Sequence, residues 1–256
     1  MNCKHCGRKY LEGMIPATSS EELLEVAEAL VERGANGFLL SGGADLNGRV
    51  PVSDFIPAIR EIKTTTDLKI NAHIGLTPRS QIHDLVKSGI DSFSVDLYGA
   101  DETIHEVLGL NSRASDYFEI VKNLRDAGAP VVAPHICIGI HEGNLKGEFG
   151  AIKSLKKIAP KELVLISLIP TKGTAFQGVP SPSDEMMISV IREARSELPD
   201  TKLLLGCMRS KKNRSSEFNL IDAGLDGIVL PSASTVEQLK KQGFSTKKRS
   251  VCCSIP

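Results

Sequence analysis

Lys87-Ser88-Gly89-Ile90-Asp91-Ser92 runs straight into Phe93-Ser94-Val95, and the same order of residue types returns at Asp222-Ala223-Gly224-Leu225-Asp226-Gly227 before Ile228-Val229-Leu230. Two further copies are Glu32-Arg33-Gly34-Ala35-Asn36-Gly37 before Phe38-Leu39-Leu40, and Asp126-Ala127-Gly128-Ala129-Pro130 before Val131-Val132. In each, an amphipathic segment ends in a glycine, which closes a helix in the left-handed conformation. The β-branched and leucine run that follows reads as a strand buried on both faces. Helix, glycine and strand in repeating order mean parallel strands joined by helical crossovers.

Extending this pattern predicts seven strands, near 37–41, 68–74, 91–97, 131–139, 163–169, 202–207 and 227–231. Eight helices are predicted near 20–33, 53–63, 78–88, 113–127, 147–158, 184–197, 214–223 and 234–242. The first carries Leu23, Leu24, Ala27, Leu30 and Val31 on one stripe, with Ser19 and Glu22 forming a capping box. The count suggests a (β/α)8 TIM-type barrel whose first strand is missing or incomplete at the N-terminus. Periodicity does not show closure, so an open doubly wound sheet is the alternative. No stretch rich enough in Pro, Gly or Ser divides the chain, which reads as one domain over 1–256 with a tail from 244 to 256.

Composition narrows the function. With 256 residues, 41% of them apolar, the chain can bury a full core. Its 31 basic and 31 acidic residues balance, so no general pull toward nucleic acid or anionic lipid is expected. No apolar run is long enough to span a membrane, and the start lacks a signal-peptide layout, which reads as cytoplasmic. The six cysteines, at 3, 6, 137, 207, 252 and 253, are too sparse for a disulfide scaffold, and a reducing compartment favours thiolate ligands.

In either architecture chemistry gathers at the carboxyl ends of the strands. Cys3-Lys4-His5-Cys6-Gly7 belongs to that rim, and two thiols at this spacing suit a chelating knuckle around a soft metal. Ser41-Gly42-Gly43 either admits a small polar ligand to its backbone amides or makes a tight turn. Asp96 ends an apolar strand, where it faces a polar ligand or caps a turn. His73 and His135 read as satisfied core or rim residues rather than metal ligands. Cys137, between Ile136 and Ile138, reads by itself as a core residue, whereas Cys207 sits at a strand end suited to a reactive thiol. The Cys252-Cys253 pair follows Lys247-Lys248-Arg249, which favours thiolate and so a ligand or redox role.

Taken in order, these segments resemble the radical S-adenosylmethionine superfamily, in particular its biotin synthase and lipoyl synthase branch, over nearly the whole chain. Asn2-Cys3-Lys4-His5-Cys6-Gly7 is similar to the later part of the C-x3-C-x2-C motif that holds a [4Fe-4S] cluster, with His5 in the usual aromatic slot. The first cysteine of that motif would fall ahead of Met1, so an upstream start supplying it and the first strand is expected. Ser41-Gly42-Gly43 resembles the glycine pair that receives the amine of S-adenosylmethionine. Ser94 to Leu97 with Glu102-Thr103-Ile104 is similar to the fourth-strand segment, and Ile136 to Gly143 to the fifth-strand motif, in which Ile140 would meet adenine and Cys137 match a cluster cysteine. Ile169 to Thr174 and Leu205 to Arg209 are similar to the sixth- and seventh-strand turns, the latter placing Cys207 near an arginine ligand of biotin synthases.

The resemblance therefore implies a cofactor site of His5, Ser41, Gly42, Gly43, Asp96 and Ile140. Catalytic positions would be Asp96, Cys207 and Arg209, and metal ligands Cys3, Cys6, Cys137, Cys207, Cys252 and Cys253, with room for an auxiliary iron–sulfur cluster. It implies generation of a 5′-deoxyadenosyl radical for sulfur insertion, lipoyl synthase-like first and biotin synthase-like second. The substrate would be a small molecule or a lipoyl carrier protein, with an electron donor such as ferredoxin or flavodoxin and room for a partner synthase subunit. The rival is a non-catalytic barrel in which Cys3, Cys6, Cys252 and Cys253 hold a structural zinc.

Overall fold

The computed structural model describes residues 3–210 and 216–255. Seven parallel strands pair in chain order: β1 (Gly37–Leu40), β2 (Lys69–His73), β3 (Ser92–Leu97), β4 (Val132–Ile138), β5 (Glu162–Ser167), β6 (Lys202–Leu205) and β7 (Gly227–Ile228). Successive order without reversal, each strand followed by helix, is the topology of a (β/α)8 barrel. Here it is incomplete, because β1 and β7 are the edges of the sheet and do not pair with each other. The doubly wound alternative, which needs a switch in strand order, is thereby excluded.

Around the sheet lie α1 (Ser20–Glu32), α2 (Ile56–Thr65), α3 (Arg79–Lys87), α4 (Asp101–Thr103), α5 (Ala114–Asp126), α6 (Glu148–Leu155), α7 (Asp184–Glu197), α8 (Glu217–Asp222) and α9 (Ala233–Lys241). Three helix starts are capped by serine: Ser19, Ser183 and Ser232 accept the amides of Glu22, Met186 and Thr235. That satisfies donors which a helix cannot satisfy within itself. Sequence periodicity does not reveal α4, which runs on as a π turn over Ile104–Leu108 and stops at Gly109. It also overestimates β7, since Leu230 takes a left-handed φ of 49° and turns the chain away with its side chain exposed.

The core lies between sheet and helices, where Phe93, Ile59, Ile62, Ile70 and Leu85 are completely buried. A second, interior face carries Asn71, Ser94, Ala133, Val164 and Leu204, one residue from each of β2 to β6, and this face curls around the chain's own C-terminal segment. The repeated glycine-ended stretches have a role beyond ending helices. Asp91, just past Gly89, donates its backbone amide to Ile70 O and accepts the Ile70 amide on its carboxylate, at 3.0 and 2.9 Å. Asp226, just past Gly224, does the same with Leu203, at 2.8 Å each way. Each aspartate clasps its neighbouring strand at the base and is in turn held by cations, Lys63 and Lys69 for Asp91 and Arg195 for Asp226.

Candidate functional site

Cys3 to Cys6 form a tight loop on the rim, closed by Gly7 N–H to Cys3 O at 2.9 Å. Left-handed Gly7 and Arg8 (φ 50° and 66°) turn the chain back on itself, and the second of these is a position few non-glycine residues adopt. Three contacts fasten the loop across the mouth. Lys4 N–H donates to Val107 O at 2.9 Å, the Thr174 hydroxyl reaches His5 O at 3.4 Å, and Tyr10 pairs with the Thr171 hydroxyl at 3.1 Å. Leu11, in the 3-10 turn Lys9–Gly13, lies where a Cβ on Gly43 would come within 3.3 Å, so Ser41-Gly42-Gly43 runs beneath this loop.

Within the loop the ligand atoms of Cys3, His5 and Cys6 lie within 4.8 Å of one another. A hydrogen bond from Cys3, with help from the His5 ring and against the cost of burial, pulls the Cys6 thiol down to about 4. The same bond and burial push Cys3 up, so the pair shares a single proton. His5 Nδ1 is buried with no hydrogen-bond partner. One ionised sulfur, a second sulfur beside it and an unpaired imidazole nitrogen make a donor set for a soft or borderline metal centre. The two thiols fit an iron–sulfur cluster in chemistry and position.

Side chains at period two line the interior below this loop: Asn71 and His73 on β2, Ser94 and Asp96 on β3, Ala133, His135 and Cys137 on β4. His73 Nε2 meets Asp96 Oδ2 at 3.2 Å, and the two side chains keep 29% and 34% exposure although the strands enclose them. They therefore line a solvent-reached lumen rather than a dry core. Burial opposes charging of Asp96, yet the His73 charge and hydrogen bond, with smaller contributions from His135 and His5, outweigh it and hold the carboxyl at about 2. Burial likewise opposes protonation of His73, and Asp96 overcomes it, so His73 is raised. His135 is lowered by burial and donates Nδ1–H to Ala133 O at 2.9 Å, leaving Nε2 as a neutral acceptor.

Linkage fixes when this pair stabilises the fold. The Asp96 contribution is present above its ordinary value and is lost as pH falls toward 2; that of His73 is present below 6.5 and is lost as pH rises through its raised value. Both act together between about pH 4 and 6.5. The urea midpoint of the wild type should exceed that of Asp96→Asn by most in this window. Equal gaps at about pH 5 and about pH 9 would contradict the pairing.

The other expected site residues separate. Cys137 faces the same interior as His135 and is pushed up by burial and by the charges of Asp96 and Glu148. It stands close enough to the mouth that its charge, with that of Cys6, is felt by Tyr10. Ile140 is buried at 5% exposure in the main apolar core, the same cluster that includes Cys3. Cys207 is exposed past the end of β6. Arg209, expected to be catalytic, is committed elsewhere: buried at 5% exposure, it binds Glu217 at 2.9 Å and Gly206 O at 2.7 Å. Its partner Glu217 also accepts from Ser232 N–H and Thr235, so this is a structural clasp between β6, α8 and α9.

Cys252 and Cys253 do not dangle in a tail; they lie inside the barrel, against Asn71 and against Ala133, Val164 and Leu204 respectively. Among the described residues they do not join Cys3 and Cys6, so the zinc staple is not assembled, nor is any group of three formed with Cys137 and Cys207. His73 and His135 are site residues that the sequence reading set aside. Their one available signal was their period-two spacing from Asn71 and Cys137 on the strands that end at the rim.

Fold and rim together define a parallel α/β barrel protein with a soft-metal donor set at the carboxyl mouth. Residues 1–146 match the Radical SAM superfamily, and the chain belongs to it. Among curated relatives it is 23% identical to the biotin synthase of Campylobacter concisus over 263 residues, covering 95% of this chain and 91% of that protein. The biotin synthase of Thermotoga neapolitana is 24% identical over 244 residues, covering 92% of this chain and 85% of the relative. The fold is similar to that of the FeFe-hydrogenase maturase HydG from Carboxydothermus hydrogenoformans, with TM-score 0.68 and 21% identity, covering 95% of this chain and 63% of that one. It is also similar to methylornithine synthase (PylB), with TM-score 0.65 and 16% identity, covering 96% and 79%. Among the described residues no helix is long and apolar enough to cross a membrane.

Proposed function

We propose that this superfamily member removes a hydrogen atom from an unactivated C–H bond of a small polar molecule held in the lumen, with Cys3 and Cys6 as cluster ligands. The observation that carries this reading is the Cys3, His5 and Cys6 group at the mouth, electrostatically coupled to Asp96 on the inner wall. When bound, a [4Fe-4S] cluster with S-adenosylmethionine supplies a carbon radical by reductive cleavage of the sulfonium. The chain's own residues bind and orient. Asp96, fixed by His73, presents a carboxylate to hydroxyl or ammonium donors, and His135 Nε2 accepts a further hydrogen bond. Ser41-Gly42-Gly43 offers backbone N–H groups to a carboxylate and backbone carbonyls to an amine under the loop.

Sulfur insertion is the outcome we assign, lipoyl synthase-like before biotin synthase-like, on the support of the biotin synthase relatives and of three thiols facing the interior. The substrate would be a small molecule or a lipoyl-bearing carrier protein, the electron donor a ferredoxin or flavodoxin, and a partner synthase subunit fits the same reading. Among the described residues Cys137, Cys207, Cys252 and Cys253 do not form a group whose ligand atoms lie within 4.8 Å of one another, and no step is drawn through an auxiliary cluster. The test is in two parts. Anaerobically reconstituted protein with a flavodoxin reducing system should form 5′-deoxyadenosine from S-adenosylmethionine; none at all would remove the radical reading. Expression in lipoate-requiring and biotin-requiring strains should restore growth in the first, and growth of neither strain would remove sulfur insertion.

A further inference from the structure

The C-terminal segment is built into the barrel. Asn36 Nδ2 donates to the Ser250 hydroxyl at 3.2 Å at the base of β1, and from there the chain climbs into the interior. Ser254 and Ile255 are buried at 0% and 2% exposure. Asn71, itself 1% exposed, spends both ends of its amide here: Nδ2 donates to Cys252 Sγ at 3.3 Å and Oδ1 accepts from Ser94 at 3.0 Å. Ser94 lies 3.5 Å from the Ser254 hydroxyl. Cys253 packs against Ala133, Val164 and Leu204, with Ile166 beside it. Cys252 holds the strap as the hydrogen-bond acceptor of Asn71, Cys253 by its apolar packing and a 3.9 Å contact of its sulfur with the Ser254 hydroxyl, and both stay half-buried and reachable.

We propose that Cys252 and Cys253 are a redox-active dithiol that takes low-molecular-weight disulfides and, on oxidation, unseats the strap from the barrel floor. The Cys252 thiolate, whose charge Asn71 stabilises, attacks one sulfur of the small disulfide and expels one thiolate. Cys253 then loses its proton to solvent and attacks Cys252 Sγ, expelling the second. Two electrons leave the cysteine pair, one S–S bond forms in the protein, and the small disulfide is reduced to two thiols. Closure draws the two sulfurs together, so Cys252 leaves the Asn71 amide and Cys253 leaves its apolar seat. A buried amide that loses its acceptor then favours release of the segment. No third metal-ligating group joins the pair among the described residues, which separates this site from the donor set at the mouth.

Buffers of glutathione and glutathione disulfide, applied anaerobically to the full-length reconstituted protein, test this. The tryptic peptide starting at Ser250 should lose two hydrogens through an internal bond, and amide exchange over 250–255 should rise about tenfold in the same step. Cys252→Ser and Cys253→Ser should each abolish both changes while binding as much iron as the wild type. In the reduced protein, Asn71→Leu should speed alkylation of Cys252. A peptide that stays reduced, pairs with Cys137 or Cys207, or oxidises with unchanged exchange overturns the proposal. So does lower iron in either serine variant, which would make the pair a metal ligand. Because none of these readouts uses S-adenosylmethionine cleavage, their failure is distinct from failure of the radical reading.

Discussion

Cys6→Ala, reconstituted with iron and sulfide under nitrogen, is expected to emerge nearly colourless and to cleave S-adenosylmethionine on the order of a thousandfold more slowly than the wild type. Loss of an outer-shell partner typically costs 10–100-fold in metal affinity or activity, and loss of a ligand costs more. The fold should survive, because the loop is tied by backbone contacts to Val107 and by the Thr174 hydroxyl to His5 O, none of which needs the Cys6 side chain. Cys207→Ala is the matched control: exposed and outside the donor group, it should keep its iron. Iron content unchanged in Cys6→Ala, measured beside retained circular dichroism, would refute the assignment of the site.

The second large effect is on stability. Glu217→Ala strips the buried Arg209 guanidinium of its carboxylate partner, and an uncompensated buried charge typically costs about 3–5 kcal/mol. It also leaves Ser232 N–H and the Thr235 hydroxyl without their acceptor at the start of α9. Urea unfolding should show the loss, and the double variant Arg209→Met with Glu217→Leu should recover much of it, because apolar pairs of similar volume replace buried ion pairs at little cost. Burial works against the Glu217 charge, but Ser232, Arg209 and Thr235 outweigh it and the carboxyl is lowered. Its contribution is therefore present above the ordinary carboxylate value and disappears as pH falls through the lowered one. A Glu217→Ala protein as stable as the wild type would show that Arg209 finds another partner.

Parallel strands could be read from the chain because burial on both faces leaves uniform apolar runs, and helix-ending glycines punctuate them. The strand starts at 37, 69, 92, 132, 162, 202 and 227 all fall within one residue of expectation. Strand ends were harder, since Leu230 leaves the sheet through a backbone rotation that its residue type does not announce. The donor loop was legible because ligand spacing is local. Arg209 was not, because a residue beyond a strand end can turn toward the lumen or the helices, and its Glu217 partner lies on a separate element. The interior place of Cys252 and Cys253 depends on polar Asn71 and Ser94 facing inward, which a run of buried strand residues hides.

The aspartate clasps at Ile70 and Leu203 join β2 to β3 and β6 to β7, each one strand in from a free border or upon it. Their location makes the sheet behave like a cuff stitched at the wrist. Spreading at the opposite hem, where a guest has to enter, can proceed while both seams hold, so entry asks for bending of strand tips and not for unpicking of the weave.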